Sequence, residues 1–77
     1  SRKMNRKKQP QLFDMVALLN PDENFGLEAG DVGTVVDLLP PDAVEVEFLE
    51  RTGRTRCVVP LKIEDLLVLN RQRSPVE

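Results

Sequence analysis

The sequence predicts an all-β fold: a small, partly closed antiparallel barrel of five short strands, with one short helical turn before the last strand. Turn-forming residues recur at short intervals along the 77 residues, so the stretches between them have the length of strands. Residues 44–48 alternate strictly between apolar and acidic side chains, which is the pattern of a strand with one buried face. Only residues 62–69 could form two turns of helix, and a helix that short does not support a helical fold.

The first two strands are predicted from apolar runs that end at turn residues. The run at residues 13–19 ends at a polar loop over residues 20–26, which is rich in Asn, Asp and Gly. A second run, rich in β-branched residues, covers residues 32–39. It stops at Pro40-Pro41-Asp42, because two prolines remove two amide donors from a strand.

The remaining elements follow the alternating strand. Residues 50–53 supply a hairpin turn, and the returning strand covers residues 54–59 and is predicted to end at Pro60. Residues 62–66 are predicted to form the helical turn, and residues 67–69 the closing strand. We expect the sheet to curl towards a barrel, because closure protects the strand edges that a small open sheet exposes.

Length and composition limit the chain to one small domain. A chain of 77 residues, 40% of them hydrophobic, buries a modest core and leaves little space for an enclosed active site. Its longest apolar runs, residues 15–19 and 66–69, are far below the ~18 residues of a membrane-spanning helix. The basic residues near the start are not followed by the apolar segment of a secretory signal. We therefore expect neither a membrane span nor a secretory signal.

The residue types in the chain argue against most catalytic sites. The chain has no His, Tyr or Trp, and its serines are Ser1 and Ser74, so it cannot supply a histidine base or a Ser-His-Asp triad. The single Cys57 has no histidine to activate it and no second cysteine for a disulfide or a structural zinc site. We expect Cys57 to be a small core residue. The sequence thus predicts a non-enzymatic cytoplasmic protein without a cofactor or a metal.

Charge is distributed unevenly along the chain. Residues 1–11 carry a formal charge of +5, residues 12–70 carry −8 and residues 71–77 carry +1. This division predicts a basic flexible N-terminal tail, a folded acidic domain and a flexible C-terminal tail with these boundaries. An acidic domain opposes binding to nucleic acid phosphates, so only the tails are suited to that contact. The basic residues of the N-terminal tail are Arg2, Lys3, Arg6, Lys7 and Lys8.

Acidic side chains dominate the solvent face of the predicted hairpin. Glu45 and Glu47 project from one face of their strand. If the hairpin places Glu47 opposite Arg56, the pair is an exposed cross-strand contact worth ~0.2–1 kcal/mol. One interpretation is a solvated strand face, charged to prevent edge association. The other is an acidic patch for a protein partner, formed by Asp37, Glu45, Glu47 and Glu50.

Two glycines and one aromatic residue stand out in the loops. Gly30 and Gly33 are predicted to form a turn into a strand, where the backbone needs a positive φ or a close approach. Their spacing is not that of a phosphate-binding loop, so no nucleotide site is expected. Phe25 lies in a polar loop, where it either covers the end of the barrel or remains exposed as an anchor for a partner. Both interpretations of Phe25 stay open.

Two segments carry a family resemblance. Gly30-Asp31-Val32-Gly33-Thr34-Val35-Val36 and Glu45-Val46-Glu47-Phe48, with the flanking runs, resemble the short bacterial family DUF4926, a domain of unknown function, over roughly residues 12–69. The pattern Gly-Asp-x-Gly-Thr-Val is also similar to the start of SH3-like barrels in the nitrile hydratase beta subunit, electron-transport accessory proteins and KOW modules. The resemblance implies that the five-stranded antiparallel barrel is SH3-like.

The resemblance also implies a role. It suggests a small protein that binds one cognate bacterial protein as an antitoxin or immunity-like partner, and an acidic barrel suits a partner with a basic surface. One alternative is a KOW-type nucleic-acid-associated module that uses the basic N-terminal tail together with Arg71 and Arg73. The chain lacks the aromatic platform on which single-stranded nucleic acids stack, which disfavours this alternative. Another alternative is an accessory subunit of an electron-transfer or hydratase-like complex.

Overall fold

All five predicted strands are present in the computed structural model, which describes residues 9–69. A 3-10 turn, Ile63–Asp65, lies immediately before the last strand. The all-β class and the helical turn predicted from the turn spacing and the alternating pattern are therefore confirmed. The strands are β1 Met15–Leu18, β2 Val32–Leu39, β3 Ala43–Leu49, β4 Thr55–Lys62 and β5 Leu66–Val68.

The strands form one antiparallel sheet in the order β4-β3-β2-β1-β5. The two hairpins place β2, β3 and β4 side by side, while β5 returns across the sheet to pair with β1. Within residues 9–69, β4 and β5 are the two edges, and no backbone ladder joins them. The predicted closure of the barrel is therefore not shown.

One face of the sheet packs around the hydrophobic core. Alternation places every second residue of β1 and β3 on this face, and Leu27 joins it from the first long loop. Cys57 packs against the margin of the core and stays partly exposed. The buried residues of the hydrophobic core are Val16, Leu18, Leu27, Val35, Val44, Val46, Phe48, Val59, Leu61 and Leu66.

Gly30 and Gly33 have the two backbone roles that the sequence predicted. Gly30 has a φ of +93°, a conformation that residues with a side chain rarely adopt. At Gly33, a Cβ atom would lie 2.6 Å from Cγ1 of Val46 and 2.7 Å from the carbonyl oxygen of Glu47. The missing side chain of Gly33 thus allows β2 to approach β3 closely.

Two boundaries differ from what the residue types suggest. Pro60 does not end β4, which continues to Lys62, with Pro60 opposite Glu45. An edge strand accepts a proline because its nitrogen can face the side of the strand that has no neighbour. At the N-terminus, Pro10 is buried, and the amide of Gln11 donates a hydrogen bond of 2.9 Å to Oδ2 of Asp14. Packing therefore begins before Leu12 in the described part of the chain.

Candidate functional site

The candidate site lies on the sheet face that points away from the core, which we call the outer face. Side chains alternate along each strand, so the residues between core positions project from this face. Its positions on β1 are apolar, whereas its positions on β3 include two glutamates. The outer face is thus divided into an acidic part and an apolar part.

The pairing register brings three of the predicted carboxylates together. Asp37 lies directly opposite Glu45 across the β2–β3 ladder, and Glu47 projects from the same face two residues further along. A register shift between Val35 and Asp37 inserts one extra residue, and this bulge turns Asp37 to the outer face. We call Asp37, Glu45 and Glu47 the acidic cluster.

No basic side chain neutralises the acidic cluster within the part of the chain that the structure describes. The salt bridge found there joins Nζ of Lys62 to Oδ2 of Asp42 at 3.7 Å, with both side chains exposed. Oε2 of Glu47 accepts a hydrogen bond of 2.5 Å from the hydroxyl of Thr55, and Oδ1 of Asp37 accepts one of 2.9 Å from the amide of Leu38. These uncharged donors orient the carboxylates and leave their negative charge in place.

The predicted contact between Glu47 and Arg56 is wrong. Glu47 lies opposite Val58, and a register shift next to Phe48 leaves Arg56 without a paired position on β3. The guanidinium Nη2 of Arg56 instead donates a hydrogen bond of 2.7 Å to the carbonyl oxygen of Gly26. The hairpin pairs Leu49 with Thr55, which by itself would place Glu47 opposite Cys57, and the extra residue of the bulge moves the partner one position further, to Val58.

The other two residues predicted to bind a partner are outside the acidic cluster. Glu50 follows the end of β3 in the hairpin turn, where its carbonyl oxygen accepts a 2.8 Å hydrogen bond from the amide of Gly53. Phe25 lies in a separate turn closed by the bridge between Asp22 and Leu27. Its side chain is 45% exposed and is absent from the buried core. Phe25 and Glu50 therefore remain predictions, at positions that the structure does not join to the cluster.

Sequence analysis missed a more exposed aromatic residue, Phe13. Its side chain is 72% exposed, and its φ of +69° is uncommon for a bulky residue. The amide of Phe13 donates a 2.7 Å hydrogen bond to the carbonyl oxygen of Val35, which ties Phe13 to the middle of β2. The apolar run predicts that Phe13 belongs to the first strand, but a turn bounded by Gln11 and Asp14 holds it outside β1.

The apolar part of the outer face is likewise not predicted from the sequence. Ala17 lies opposite Val32 on one side and opposite Leu67 on the other, so these three residues form a row across β2, β1 and β5. The amide of Leu69 donates a 2.8 Å hydrogen bond to the carbonyl oxygen of Met15, which forms the next row. We call these five residues the apolar strip. The available signal was the unbroken apolar run in β1 and β5, which has no polar side to face water.

Thr34 connects the apolar strip to the acidic cluster. It lies opposite Met15 in the β1–β2 ladder and opposite Glu47 in the β2–β3 ladder. A partner that covers both parts therefore meets hydrophobic and negatively charged surface on neighbouring strands. This combination is suited to binding a protein that presents apolar and basic side chains together.

Other kinds of site find less support in residues 9–69. An open depression of about 170 Å³ lies beside Pro10, between Leu38, Pro41 and Ile63, and no titratable side chain lines it. Within the same residues, no group of three or more His, Cys, Asp or Glu side chains is placed to hold a metal ion. Among residues 9–69, no helix is long and apolar enough to cross a membrane. The basic residues 2–8 lie outside the described part of the chain.

Comparison with known proteins assigns the chain to a family. The family model described as Domain of unknown function (DUF4926) matches residues 12–68, which is most of the chain, so the protein belongs to this family. Comparisons with curated proteins and with solved structures gave no significant match. The family membership predicted from the glycine-rich and alternating segments is confirmed, while no solved structure supports the likeness to SH3-like barrels.

Proposed function

We propose that this member of the DUF4926 family is a non-enzymatic protein-binding module, which binds one cognate bacterial protein through the outer face of its sheet. The observation that carries this proposal is the position of Asp37 directly opposite Glu45, with Glu47 beside them and no basic side chain in salt-bridge contact within residues 9–69. Like charges placed directly across a ladder are destabilising, by about 0.2–1 kcal/mol. A partner that covers the cluster with Lys or Arg removes this repulsion.

The charge of the whole domain supports a partner with a basic surface. Residues 12–70 contain twelve acidic and four basic residues, so the domain attracts a positively charged protein at a distance as well as in contact. Such attraction speeds association and disfavours partners of the wrong charge. It also disfavours nucleic acids, whose phosphates carry the same sign of charge as the domain.

The more specific role that we propose is that of an antitoxin or immunity-like protein in the cytoplasm. An acidic sheet face can cover a basic surface on a toxin and so block what that surface binds. We further propose that the sheet is an SH3-like barrel; the segment Gly30–Val36, which leads into β2, and the 3-10 turn before β5 support this. The absence of His, Tyr and Trp from the chain supports a role without catalysis.

Affinity capture from a lysate of the organism that encodes the protein tests the proposal. The tagged full chain is incubated with nuclease-treated lysate and washed at moderate salt, and retained proteins are quantified by mass spectrometry. The test variant carries Asp37→Lys, Glu45→Lys and Glu47→Lys. The matched control carries Glu23→Lys, Glu28→Lys and Glu64→Lys, which make the same charge change at exposed positions outside the acidic cluster.

The expected result is one stoichiometric protein with a basic surface, which the test variant loses and the control variant keeps. A neutral variant carries Asp37→Asn, Glu45→Gln and Glu47→Gln, and its folding is checked by circular dichroism. It shows whether a loss of binding comes from the lost charge or from unfolding. Retention by the test variant at the level of the wild type would overturn the proposal.

The same experiment separates the two alternatives. A KOW-type module would retain material only when nuclease is omitted, and its binding would weaken steeply with salt and need Arg2, Lys3, Arg6, Lys7 and Lys8. An accessory subunit would retain a subunit of an electron-transfer or hydratase complex. In that case protein binding would stand and the antitoxin role would be wrong.

A further inference from the structure

The apolar strip is the part of the surface that the acidic cluster does not account for. Val32 is 44% exposed, Leu67 is 49% exposed and Leu69 is 45% exposed, although all three lie in or beside regular strands. Met15 is also exposed, and Ala17 lies between them in the register. A contiguous apolar patch on the surface of so small a domain is a feature of interaction sites.

The dimensions of the strip match one helix. Neighbouring strands lie about 4.8 Å apart, so β2, β1 and β5 together span about 10 Å, which is the diameter of a helix with its side chains. Along β1, positions 15 and 17 are about 7 Å apart, close to the 5–6 Å between side chains three or four residues apart on a helix. The two rows of the strip therefore span about 1.3 turns of a single helix, since one turn rises 5.4 Å. Five residues are few compared with the 20–30 on each side of a standard interface between two folded proteins.

The charges around the strip indicate which side of that helix carries basic residues. On the outer face, the strands β1, β2 and β3 carry no basic residue, and the acidic cluster begins at Glu47, across Thr34 from Met15. A helix bound on the strip thus has Glu47 beside it, one strand beyond Thr34, with Glu45 and Asp37 further along the same strands. A second copy of this chain is a poor occupant, because it would add another domain with a formal charge of −8 over residues 12–70.

We infer that the apolar strip is the binding site for one amphipathic helix of the cognate partner. This helix carries Lys or Arg on the side that faces the acidic cluster. The inference rests on the proposed function and adds to it the form of the bound segment. The apolar side chains of the helix cover Val32, Ala17 and Leu67, while its basic side chains pair with Glu45 and Glu47. Helix binding to a hydrophobic surface with charged borders is an established mode of peptide recognition.

A synthetic helix provides the first test. The probe is an ~18-residue peptide, five helical turns, with Leu along one face and Lys along one flank; the control peptide has Glu in place of each Lys. Each is titrated into the ¹⁵N-labelled full chain. The Lys peptide is expected to shift the amide signals of Ala17, Val32 and Leu67 together with those of Glu45 and Glu47, and the Glu peptide to leave them unchanged. No shift with the Lys peptide, or shifts confined to the acidic cluster, would contradict the inference.

Substitutions in the strip provide the second test. The variant Val32→Gln with Leu67→Gln is expected to bind the Lys peptide about tenfold or more weakly, since two buried aliphatic contacts are lost. The control is Leu38→Gln, which changes an exposed apolar residue that lies opposite the buried Val44 and therefore projects from the other face of the sheet. The amide spectrum of each variant reports whether it is folded. Equal affinities of the strip variant and the wild type for the Lys peptide would show that the apolar strip does not bind the helix.

Two further measurements distinguish a failure of the helix inference from a failure of the proposed function. If sedimentation shows a dimer of the full chain that Leu67→Gln converts to a monomer, a second copy covers the strip and the inference is wrong. In the lysate capture, the charge-reversed variant could lose the partner while the strip variant keeps it. That result would show that the apolar strip is not the binding site for a helix and would leave the proposed function intact. Capture that neither variant changes would reject the proposed function itself.

Discussion

The guanidinium Nη2 of Arg56 donates a hydrogen bond of 2.7 Å to the carbonyl oxygen of Gly26, which lies thirty residues away along the chain. This bond links the edge strand β4 to the turn that contains Phe25. The same turn ends at Leu27, which packs in the core. Gly26 has a φ of +67°, so its carbonyl direction depends on a backbone conformation that glycine adopts easily. An arginine that the sequence suggested for a surface ion pair thus anchors a loop.

We expect Arg56→Gln to loosen this turn. The loss of one exposed hydrogen bond from a charged donor should lower the free energy of unfolding by about 0.5–1.5 kcal/mol. Amide exchange of Leu27, whose N–H donates to Asp22, should become faster because the turn opens more often. Chemical denaturation and hydrogen exchange measure the two effects. Arg54→Gln is the control, and equal effects from both substitutions would show that the anchor contributes nothing.

Gly33→Ala should destabilise the domain more than Gly30→Ala. A Cβ at position 33 would overlap both Val46 and the backbone oxygen of Glu47, so β2 and β3 would have to separate, at a cost of about 3 kcal/mol. A Cβ at position 30 meets no atom within 4 Å, and its cost of about 1–2 kcal/mol comes from the positive φ alone. Urea unfolding of both variants gives the comparison. The reverse order of stability would contradict the close approach at Gly33.

Glu45→Gln should make the free protein more stable. It removes one charge of the pair that Glu45 forms with Asp37, and the gain should be about 0.2–1 kcal/mol at low salt. The gain should shrink in 1 M salt, where screening already weakens the repulsion. Thermal or chemical unfolding at both salt concentrations measures it, with Glu28→Gln as the control for a general reduction in net charge. A Glu45→Gln variant no more stable than this control would mean that the two carboxylates do not repel.

The thiol of Cys57 should react slowly in the folded protein. Cys57 lies opposite Phe48 and packs against the core, but it is on an edge strand and partly exposed. We expect a thiol reagent to modify it more slowly in the native state than in denaturant, at a rate set by local opening of β4. Mass spectrometry of timed samples follows the modification. Equally fast labelling in both conditions would rule out the packed position.

The elements of the fold could be predicted because they depend on local signals. The alternation of β3, the prolines after β2 and the glycines before it each act within a few residues, and all three predictions agree with the structure. Pro60 misled the prediction of the end of β4, because the effect of a proline depends on whether a neighbouring strand needs its amide. That information depends on the order of the strands.

The candidate site could be predicted only in part. Glu45 and Glu47 share a face by alternation alone, so their proximity followed from the sequence. Asp37 joins them through a bulge, and Arg56 is the unpaired residue of a second bulge; neither insertion could be predicted, and each changes the later partners in its ladder. The apolar strip combines residues from β1, β2 and β5, which are far apart in the chain.

Local sequence signals are enough to predict the all-β class, the family, the acidic character of the domain and the glycines that the backbone requires. These properties depend on composition and on interactions between near neighbours in the chain. Tertiary packing instead sets which carboxylates face each other and which arginine anchors the long first loop. It also makes the outer positions of β1 and β5 one apolar surface beside the acidic cluster. These features escape prediction because packing between distant segments sets the pairing register and the strand order, and a shift of one residue turns a side chain to the opposite face of the sheet.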